Sequence, residues 1–273
     1  MATLTVPTTA RPWIERSARV GYVAKGTVYL LIGTLALQAA AGAGGRTTGT
    51  AGVFYVIGHQ PLGRHILWLV AFGLAGYALW RMLCALKDPD GRGRRGWKRV
   101  FVRIGYAGSA VIHGGLAWQA ARLALGAGGS GDDGQARSRT AQLLDAPLGP
   151  WLVGAVALGV AGYGVAQLVK GFRPDAERRL HIESLAPEER RLVLGAARAG
   201  LFSRSIVFGL IATFLAQAAL QHDPSEAGGL AQALRTLAEQ PYAPVVLGVV
   251  AVGLAAYGAF QLVRARYRVI SAG

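Results

Sequence analysis

The sequence contains little sulfur and little acid, and both shortages limit what the protein can be. Cys84 is the only cysteine, so no disulfide can form within the chain and its redox compartment cannot be read. Asp and Glu number 14 against 29 Lys and Arg, and no acidic residue falls inside the long apolar stretches identified below. The chain therefore lacks the intramembrane carboxylate that usually couples transport to protons or sodium.

Catalytic and metal-binding patterns are also missing. The sequence has no Cys/His metal spacing, no nucleophile motif, no Gly-rich phosphate loop and no pair of intramembrane carboxylates. We therefore predict no catalytic residue, no metal and no cofactor. A haem would need a second axial ligand beside His113. The other histidines are poorly placed for that, since His59, His65 and His222 map to outer helix ends and His181 to a basic linker.

Apolar residues, by contrast, are abundant. They make up 52% of the chain, charged residues make up only 16%, and residues 147–169 and 241–263 carry no charged side chain. As a helix, each stretch covers about 34 Å, enough to cross a hydrocarbon core of about 30 Å. Four further candidate spans lie near residues 20–41, 65–86, 104–125 and 199–220. We predict an all-α, polytopic membrane protein with six transmembrane helices.

Two sequence markers recur at nearly one period and predict three tandem helix pairs. The first opens the odd spans and reads RVGY at 19–22, RIGY at 103–106 and RAGL at 198–201. The second lies inside the even spans and reads GLAGY at 73–77, GVAGY at 159–163 and GLAAY at 253–257. We expect one membrane domain over residues 1–273, with repeats at 16–87, 99–172 and 196–268. The first marker returns twice inside the chain. A membrane span therefore explains the N-terminal apolar stretch better than a cleaved signal peptide does.

Basic residues are distributed unevenly between the two ends of the spans. The termini and inter-repeat linkers carry 23 of the 29, and the loops within pairs carry only Arg46, Arg64, Arg122, Arg137, Arg139 and Arg235. The positive-inside rule then places both termini in the cytoplasm and gives all three repeats one orientation. Lys and Arg beside spans contact anionic lipid headgroups, so we expect the lipid bilayer as a partner and no nucleic acid.

The loops within each pair share a plan. Each has a Gly-rich or polar stretch, then a short apolar segment, and then a proline at 61, 147 or 241. In the third loop, Leu230, Leu234 and Leu237 fall on one helical face. We interpret these segments as short interfacial helices, although an ordered loop fits the first two equally well.

Several motifs resemble a bacterial membrane family known as domain of unknown function 1206. They are GYVAKGTVYLLIG at 21–33, QPLG at 60–63, HDP at 222–224 and ARYR at 265–268, together with the three-pair period. The resemblance covers roughly residues 16 to 268. It implies a multi-pass protein of the bacterial cell membrane, and it supplies no activity, cofactor or catalytic residue.

Polar groups inside spans are the candidate functional residues, because they are costly in hydrocarbon. Residues four apart share one face of a helix, so Lys25 and Tyr29 lie on the same face of the first odd helix. Arg204 lies on the matching face of the odd helix in the third repeat. For Lys25, Arg204 and Arg81, snorkelling to the cytoplasmic interface competes with a binding role. The candidate polar intramembrane residues are His113, Tyr29, Tyr77, Tyr163, Tyr257, Arg81, Gln167 and Gln261.

His113 is the sharpest of these candidates, since it lies near the predicted midplane of its span. A neutral histidine bonded to a neighbouring helix and a proton relay both fit the sequence. Small residues are expected at close helix crossings. The glycines assigned to packing are Gly33, Gly73, Gly76, Gly159, Gly162 and Gly253.

Three classes of function remain open. The paucity of catalytic and acidic residues favours a membrane scaffold or accessory subunit that binds a membrane-protein partner. A small transporter or channel with a path along a pseudo-threefold axis is the alternative. A membrane redox protein or enzyme would depend on His113. The sequence identifies neither the cargo nor the partner nor the oligomeric state.

Overall fold

The structure is a computed structural model that describes residues 11–87, 96–127, 131–172 and 185–267. Every regular element in these ranges is helical, which confirms the all-α prediction for them. His181 and the basic residues of the linkers at 88–95 and 173–184 lie outside the described residues. In chain order the helices are α1 (Arg11–Ala40), α2 (Thr50–Gly58), α3 (Gly63–Lys87), α4 (Trp97–Ala124), α5 (Asp132–Leu144), α6 (Gly149–Phe172), α7 (Pro187–Gln221), α8 (Leu230–Ala238) and α9 (Ala243–Tyr267).

Five helices are long and apolar enough to cross a membrane: Arg19–Ala40 of α1, Gly63–Leu86 of α3, and α6, α7 and α9. These helices indicate a multi-pass membrane protein. The fourth predicted span, α4, has 28 residues and is long enough, at about 42 Å. It does not meet the same hydropathy measure, because polar side chains such as Arg103, His113 and Gln119 interrupt its apolar residues.

The six long helices pack as an incomplete ring. The closest pairs join different repeats: α3 with α4, α6 with α7, and α1 with α9, which brings the first and last repeats together. Within repeats, α1 packs on α3 and α7 packs on α9. Among the described residues, α4 and α6 form no comparable interface. The ring therefore has five packed junctions and one open one.

Glycine permits the closest of these crossings. A Cβ added to Gly33 would lie 2.5 Å from the backbone nitrogen of Ala255, where α1 meets α9. One added to Gly200 would lie 2.7 Å from the Cα of Tyr257, where α7 meets α9. No larger side chain fits at either place without moving a backbone, as expected where membrane helices approach through small residues.

Two arginines close two of the junctions: Arg19 at the start of the apolar part of α1, and Arg103 nearly two turns into α4. Arg19 donates from its guanidinium to the carbonyl oxygens of Ala265 and Arg266, at 2.7 Å each, in the last turn of α9. Arg103 donates to the carbonyls of Ala85 and Leu86 at the end of α3. The last carbonyls of a helix have no partner within that helix, so each arginine satisfies acceptors that need one.

The three loops within pairs all contain the predicted short helix. Leu234 and Leu237 of α8 are buried, as their spacing predicts. Asp133 in α5 joins this helix by accepting hydrogen bonds from the backbone N–H groups of Gly229 and Gln232, both at 3.1 Å. Just before α8, the backbone N–H of Ser225 donates to Asp223 and holds the pKa of that carboxyl below its ordinary value.

Candidate functional site

Basic and aromatic side chains from the long helices converge inside the ring. We call this group the cation–tyrosine cluster; its members are Lys25, Tyr29, Tyr77, Arg81, Tyr163, Arg204 and Tyr257. The members come from α1, α3, α6, α7 and α9. All lie on the helix faces that the i, i+4 spacing predicts, and the ring geometry turns those faces toward one another.

Arg204 is the most connected member of the cluster. Its side chain is buried, with 5% of its surface exposed. The guanidinium donates to the hydroxyl of Tyr257 at 2.7 Å and to that of Tyr163 at 3.3 Å. Its central carbon lies 4.4 Å from the Tyr257 ring centroid and 5.5 Å from that of Tyr29. Arg204 thus links α7 to α1, α6 and α9.

Lys25 and Arg81 bring two more cations to the same aromatic rings. Lys25 is 6% exposed, and its Nζ lies 5.2 Å from the ring centroid of Tyr77 and 5.8 Å from that of Tyr257. Arg81 donates from Nε to the Tyr77 hydroxyl at 2.8 Å and from Nη2 to the same oxygen. Tyr77 and Tyr257 therefore lie between positive charges contributed by different helices.

The cluster contains no acidic residue to balance these charges. The segments that form the long helices carry no Asp or Glu between Arg16 and Lys87, between Gly91 and Gly131, or beyond Glu189 in α7. Moving a charged group out of water costs several kcal/mol even after relaxation. A cation–π contact returns only about 0.5–2 kcal/mol. The phenol rings therefore offset part of the cost of burying these cations. A negatively charged hydrogen-bond acceptor would offset the rest.

Two buried hydrogen-bond donors at this site have no partner among the described residues: Nε of Arg204 and Nε2 of Gln167. Gln167 is 3% exposed and lies one turn beyond Tyr163 on the same face of α6. Its counterpart Gln261 does donate to Tyr257, at 3.2 Å, and accepts from Arg264 at 3.0 Å. Because both unpartnered groups are donors, the missing partner must be an acceptor.

His113 lies beside the cluster and is half-buried. Its Nδ1–H donates to the backbone carbonyl of Ser109 at 2.7 Å, within its own helix, and its ring centroid is 4.6 Å from that of Tyr77. The predicted hydrogen bond to a neighbouring helix is thus replaced by one to the preceding turn of α4. Among the described residues, no three His, Cys, Asp or Glu side chains come together to hold a metal.

The predicted packing glycines divide into two groups. Gly33, Gly73 and Gly253 lie at crossings where an added Cβ would come within 3.0 Å of a neighbouring helix, and Gly76 is half-buried. Gly159 and Gly162 have no such neighbour within 4 Å. They therefore form no crossing in this structure, because α6 does not pack against α4.

This separation leaves a lateral opening that we call the α4–α6 seam. Gly105 and Gly108 line it on α4, with nothing within 4 Å of an added Cβ, and Gly159 lines it on α6. Tyr163 lies on the seam face of α6 and is 40% exposed, whereas Tyr77 and Tyr257 are buried. Since the Tyr163 hydroxyl accepts from Arg204, the seam leads to the cluster.

The sequence did not reveal that Lys25 and Arg204 would be buried. Each lies about a turn and a half inside its span, a depth at which a long side chain can reach either the interface or the interior. The usable signal was their position four residues after Gly21 and Gly200, the glycines at the closest crossings of α1 with α3 and of α7 with α9. At both positions the residue one turn after the glycine, on the same helix face, is buried in the ring.

A separate cavity of about 600 Å³ lies between α2, α4 and α5, on the side of the short helices. Arg46, Arg122 and Arg139 line it together with Tyr55 and Trp118. The Arg46 and Arg139 side chains are exposed, unlike those of Lys25 and Arg204. The cavity is thus a basic surface recess, distinct from the buried cluster.

The chain resembles known proteins along most of its length. A family model described as Domain of Unknown Function (DUF1206) matches three times, at residues 20–88, 104–173 and 199–268. A protein of Bacillus subtilis (strain 168), described as uncharacterized protein YxxB, is 35% identical over 260 residues, which cover 94% of this chain and 92% of that protein. No solved structure matches the chain.

Proposed function

The chain belongs to the DUF1206 family, and from this premise we propose that it is a membrane protein that binds an anion at the cation–tyrosine cluster. One observation carries the proposal: Lys25, Arg81 and Arg204 converge on shared tyrosines, and the acid-free stretches of the long helices provide no carboxylate beside them. A purely structural network of this kind would be expected to include an acid, because uncompensated buried charges destabilise the fold.

The proposed setting is the bacterial cell membrane, with α4 as a sixth span and both termini in the cytoplasm. The packing of α4 along α3 and the 23 basic residues near the termini and inter-repeat linkers support this orientation. Anionic headgroups would then contact the same side of the protein that holds the cluster.

The chemistry of the cluster fits an oxyanion such as phosphate or sulfate. An arginine guanidinium presents planar donors that match such oxygens, and a lysine ammonium adds a point charge. The free Nε of Arg204 and the amide of Gln167 add donors in a region away from water, where each charge-assisted hydrogen bond is strengthened. The tyrosine hydroxyls already bonded to Arg81 and Arg204 hold the guanidinium groups in place.

Thermal unfolding of the purified protein in nanodiscs of neutral phosphatidylcholine tests the proposal. The added probes are chloride, sulfate, inorganic phosphate and, in separate discs, phosphatidylglycerol. At least one oxyanion is expected to raise the unfolding temperature, since a ligand at 100 times its Kd stabilises by about 2.7 kcal/mol. The rise should be lost in Arg204→Gln and in Lys25→Gln.

Arg46→Gln is the matched control, because it removes the same charge from the exposed basic cavity. It should keep the anion effect of the wild type. If Arg46→Gln removes the effect and Arg204→Gln does not, the anion binds in the cavity and the proposal is wrong. The proposal also fails if no probe stabilises the wild type.

A membrane scaffold is the second candidate, and the unpacked faces of α4 and α6 support it. Gly105, Gly108, Gly159 and Gly162 present small residues without a neighbouring helix, as at a helix–helix interface. Purification in mild detergent should then yield a stoichiometric membrane partner, released by Gly159→Leu. Transport along the ring axis would instead appear as sulfate flux into liposomes, lost in Arg204→Gln.

A further inference from the structure

We infer that the anion is the headgroup phosphate of an anionic membrane lipid, which reaches the cation–tyrosine cluster sideways through the α4–α6 seam. This inference rests on the anion site proposed above. It adds the chemical class of the ligand and the route by which the ligand enters.

The seam connects the lipid-facing surface to the cluster. Ile112 of α4 is 58% exposed and Val156 of α6 is 44% exposed, although their counterparts Val28 and Val250 are buried in the first and third repeats. These apolar side chains lie beside the glycines of the α4–α6 seam, where no atom lies within 4 Å of a Cβ added to Gly159. An acyl chain is the occupant that the apolar walls suit.

Tyr163 lies where the groove meets the polar site. Its ring is partly exposed to the seam and lies 4.9 Å from Phe208, and its hydroxyl accepts from Arg204. A molecule in the seam would therefore contact apolar side chains along its length and an arginine at one end. That combination matches an amphiphile with an anionic head and excludes a free apolar molecule as the best ligand.

The depth of the cluster also suits a headgroup. Lys25 lies six residues beyond Arg19, which is about 9 Å along the helix and near the boundary between headgroups and chains. Arg19 donates to a carbonyl in the last turn of α9, so this level of the ring lies at the end of that helix. A lipid of the leaflet on that side could insert its phosphate between α4 and α6 without crossing the membrane.

The unpartnered donors lie at the inner end of this route. Gln167 follows Tyr163 by one turn on the seam side of α6, and Nε of Arg204 is buried beside the Tyr163 hydroxyl. A phosphodiester offers two non-bridging oxygens, each able to accept a hydrogen bond. A choline lipid carries the same phosphate with a cation attached, and the cation would be repelled by Lys25 and Arg81.

Native mass spectrometry of the detergent-purified protein, with phosphatidylglycerol and phosphatidylcholine of identical chains as probes, tests the ligand class. Phosphatidylglycerol should bind in preference to phosphatidylcholine. The preference should fall about tenfold or more in Arg204→Gln, as expected when a charged hydrogen-bond donor is removed. Inorganic phosphate, added in competition, separates a lipid headgroup from a free anion.

Filling the seam tests the route. Gly159→Leu and Gly105→Leu place side chains on opposite walls, where an added Cβ meets nothing within 4 Å, so both variants should fold. Each should weaken phosphatidylglycerol binding about tenfold or more while leaving stabilisation by inorganic phosphate intact. Gly154→Leu is the matched control on α6: it also has open space around it but points away from the seam, and it should bind lipid as the wild type does.

Each outcome decides the inference. Equal binding of the two lipids, or full phosphatidylglycerol binding in both seam variants, overturns it. Stabilisation by inorganic phosphate that depends on Arg204, without any lipid preference, overturns the lipid and keeps the anion site. Displacement of a membrane-protein partner rather than lipid by the seam variants assigns the seam to a scaffold. If both variants misfold, the lipid preference of the wild type and of Arg204→Gln still decides.

Discussion

Several side chains that are buried in the first and third repeats have exposed counterparts in the second repeat. Val28 and Val207 are about 3–4% exposed, and Ile112 at the matching position of α4 is 58% exposed. Tyr77 and Tyr257 are buried, and Tyr163 is 40% exposed. The three repeats share glycines at corresponding positions, yet these side chains differ in burial. A shared sequence marker therefore does not guarantee a shared contact. The second repeat lacks a cation at one position of its odd helix, because Ser109 stands where the other repeats have Lys25 and Arg204.

Enlarging glycines at matching positions of the second and third repeats should have the largest effect on stability. Gly200→Leu is expected to prevent folding or to lower stability by more than about 3 kcal/mol, because its Cβ would press on the backbone of Tyr257. Gly105→Leu, at the same repeat position, should change stability by less than about 0.5 kcal/mol. Thermal unfolding in detergent measures both. Equal damage by the two substitutions would mean that α4 and α6 pack closely in solution.

Removing a buried charge should have an effect of intermediate size and opposite sign. In oxyanion-free buffer, Lys25→Met is expected to stabilise the protein by about 1 kcal/mol or more, because an unbalanced ammonium is replaced by an apolar side chain of similar length. The same variant should lose stabilisation by added phosphate. The reverse change in the second repeat, Ser109→Lys, should destabilise the protein. A loss of stability in Lys25→Met without anion would contradict the interpretation of the cluster.

Removing an arginine from a helix junction should have an effect of similar size, and it should destabilise the protein. Arg19→Gln and Arg103→Gln each remove two donors to carbonyls at a helix end, with an expected cost of about 1–2 kcal/mol. Chemical denaturation in mixed micelles measures the cost. Arg64→Gln, an exposed residue at the start of α3, is the control and should be neutral. If Arg64→Gln costs as much as the other two, net charge rather than the junctions explains the effect.

Topology can be tested with almost no effect on stability. In a Cys84→Ala background, which removes the only and buried cysteine, Gly131→Cys places a thiol before α5. An impermeant maleimide should label it from outside intact cells, and Lys87→Cys only after lysis. Labelling of Gly131→Cys from the cytoplasmic side alone would reverse the proposed orientation and move the cluster to the other leaflet.

Much of the fold follows from the sequence because it depends on length and period. Apolar stretches long enough to cross a membrane and repeated markers identify the helix pairs, and the Leu230, Leu234, Leu237 spacing identifies α8 and its buried face. The hydropathy of α4 was harder to judge, since its polar residues lie among small ones. The tyrosine faces of the even helices were also readable, because i+4 spacing fixes their direction.

The α4–α6 seam could not be predicted from the sequence, for a physical reason. Gly159 allows a close helix crossing as well as Gly73 does. A glycine face allows another helix to approach but does not itself attract one, so the sequence does not show whether a helix packs there. Whether Lys25 snorkels or turns inward depends on which helix stands opposite. That is set by contacts between α1 and α9, which no local pattern records.

The bond from Arg19 to Ala265 joins residues that are 246 positions apart in the chain. During synthesis at about 5–20 residues per second, roughly 12–50 s separate the appearance of the two. Through that interval α1 is in the membrane without α9, its most extensive partner, and Lys25 is without the Tyr257 ring. Lys25 thus lacks one of its aromatic partners until the last helix inserts, and that insertion completes the packing around it.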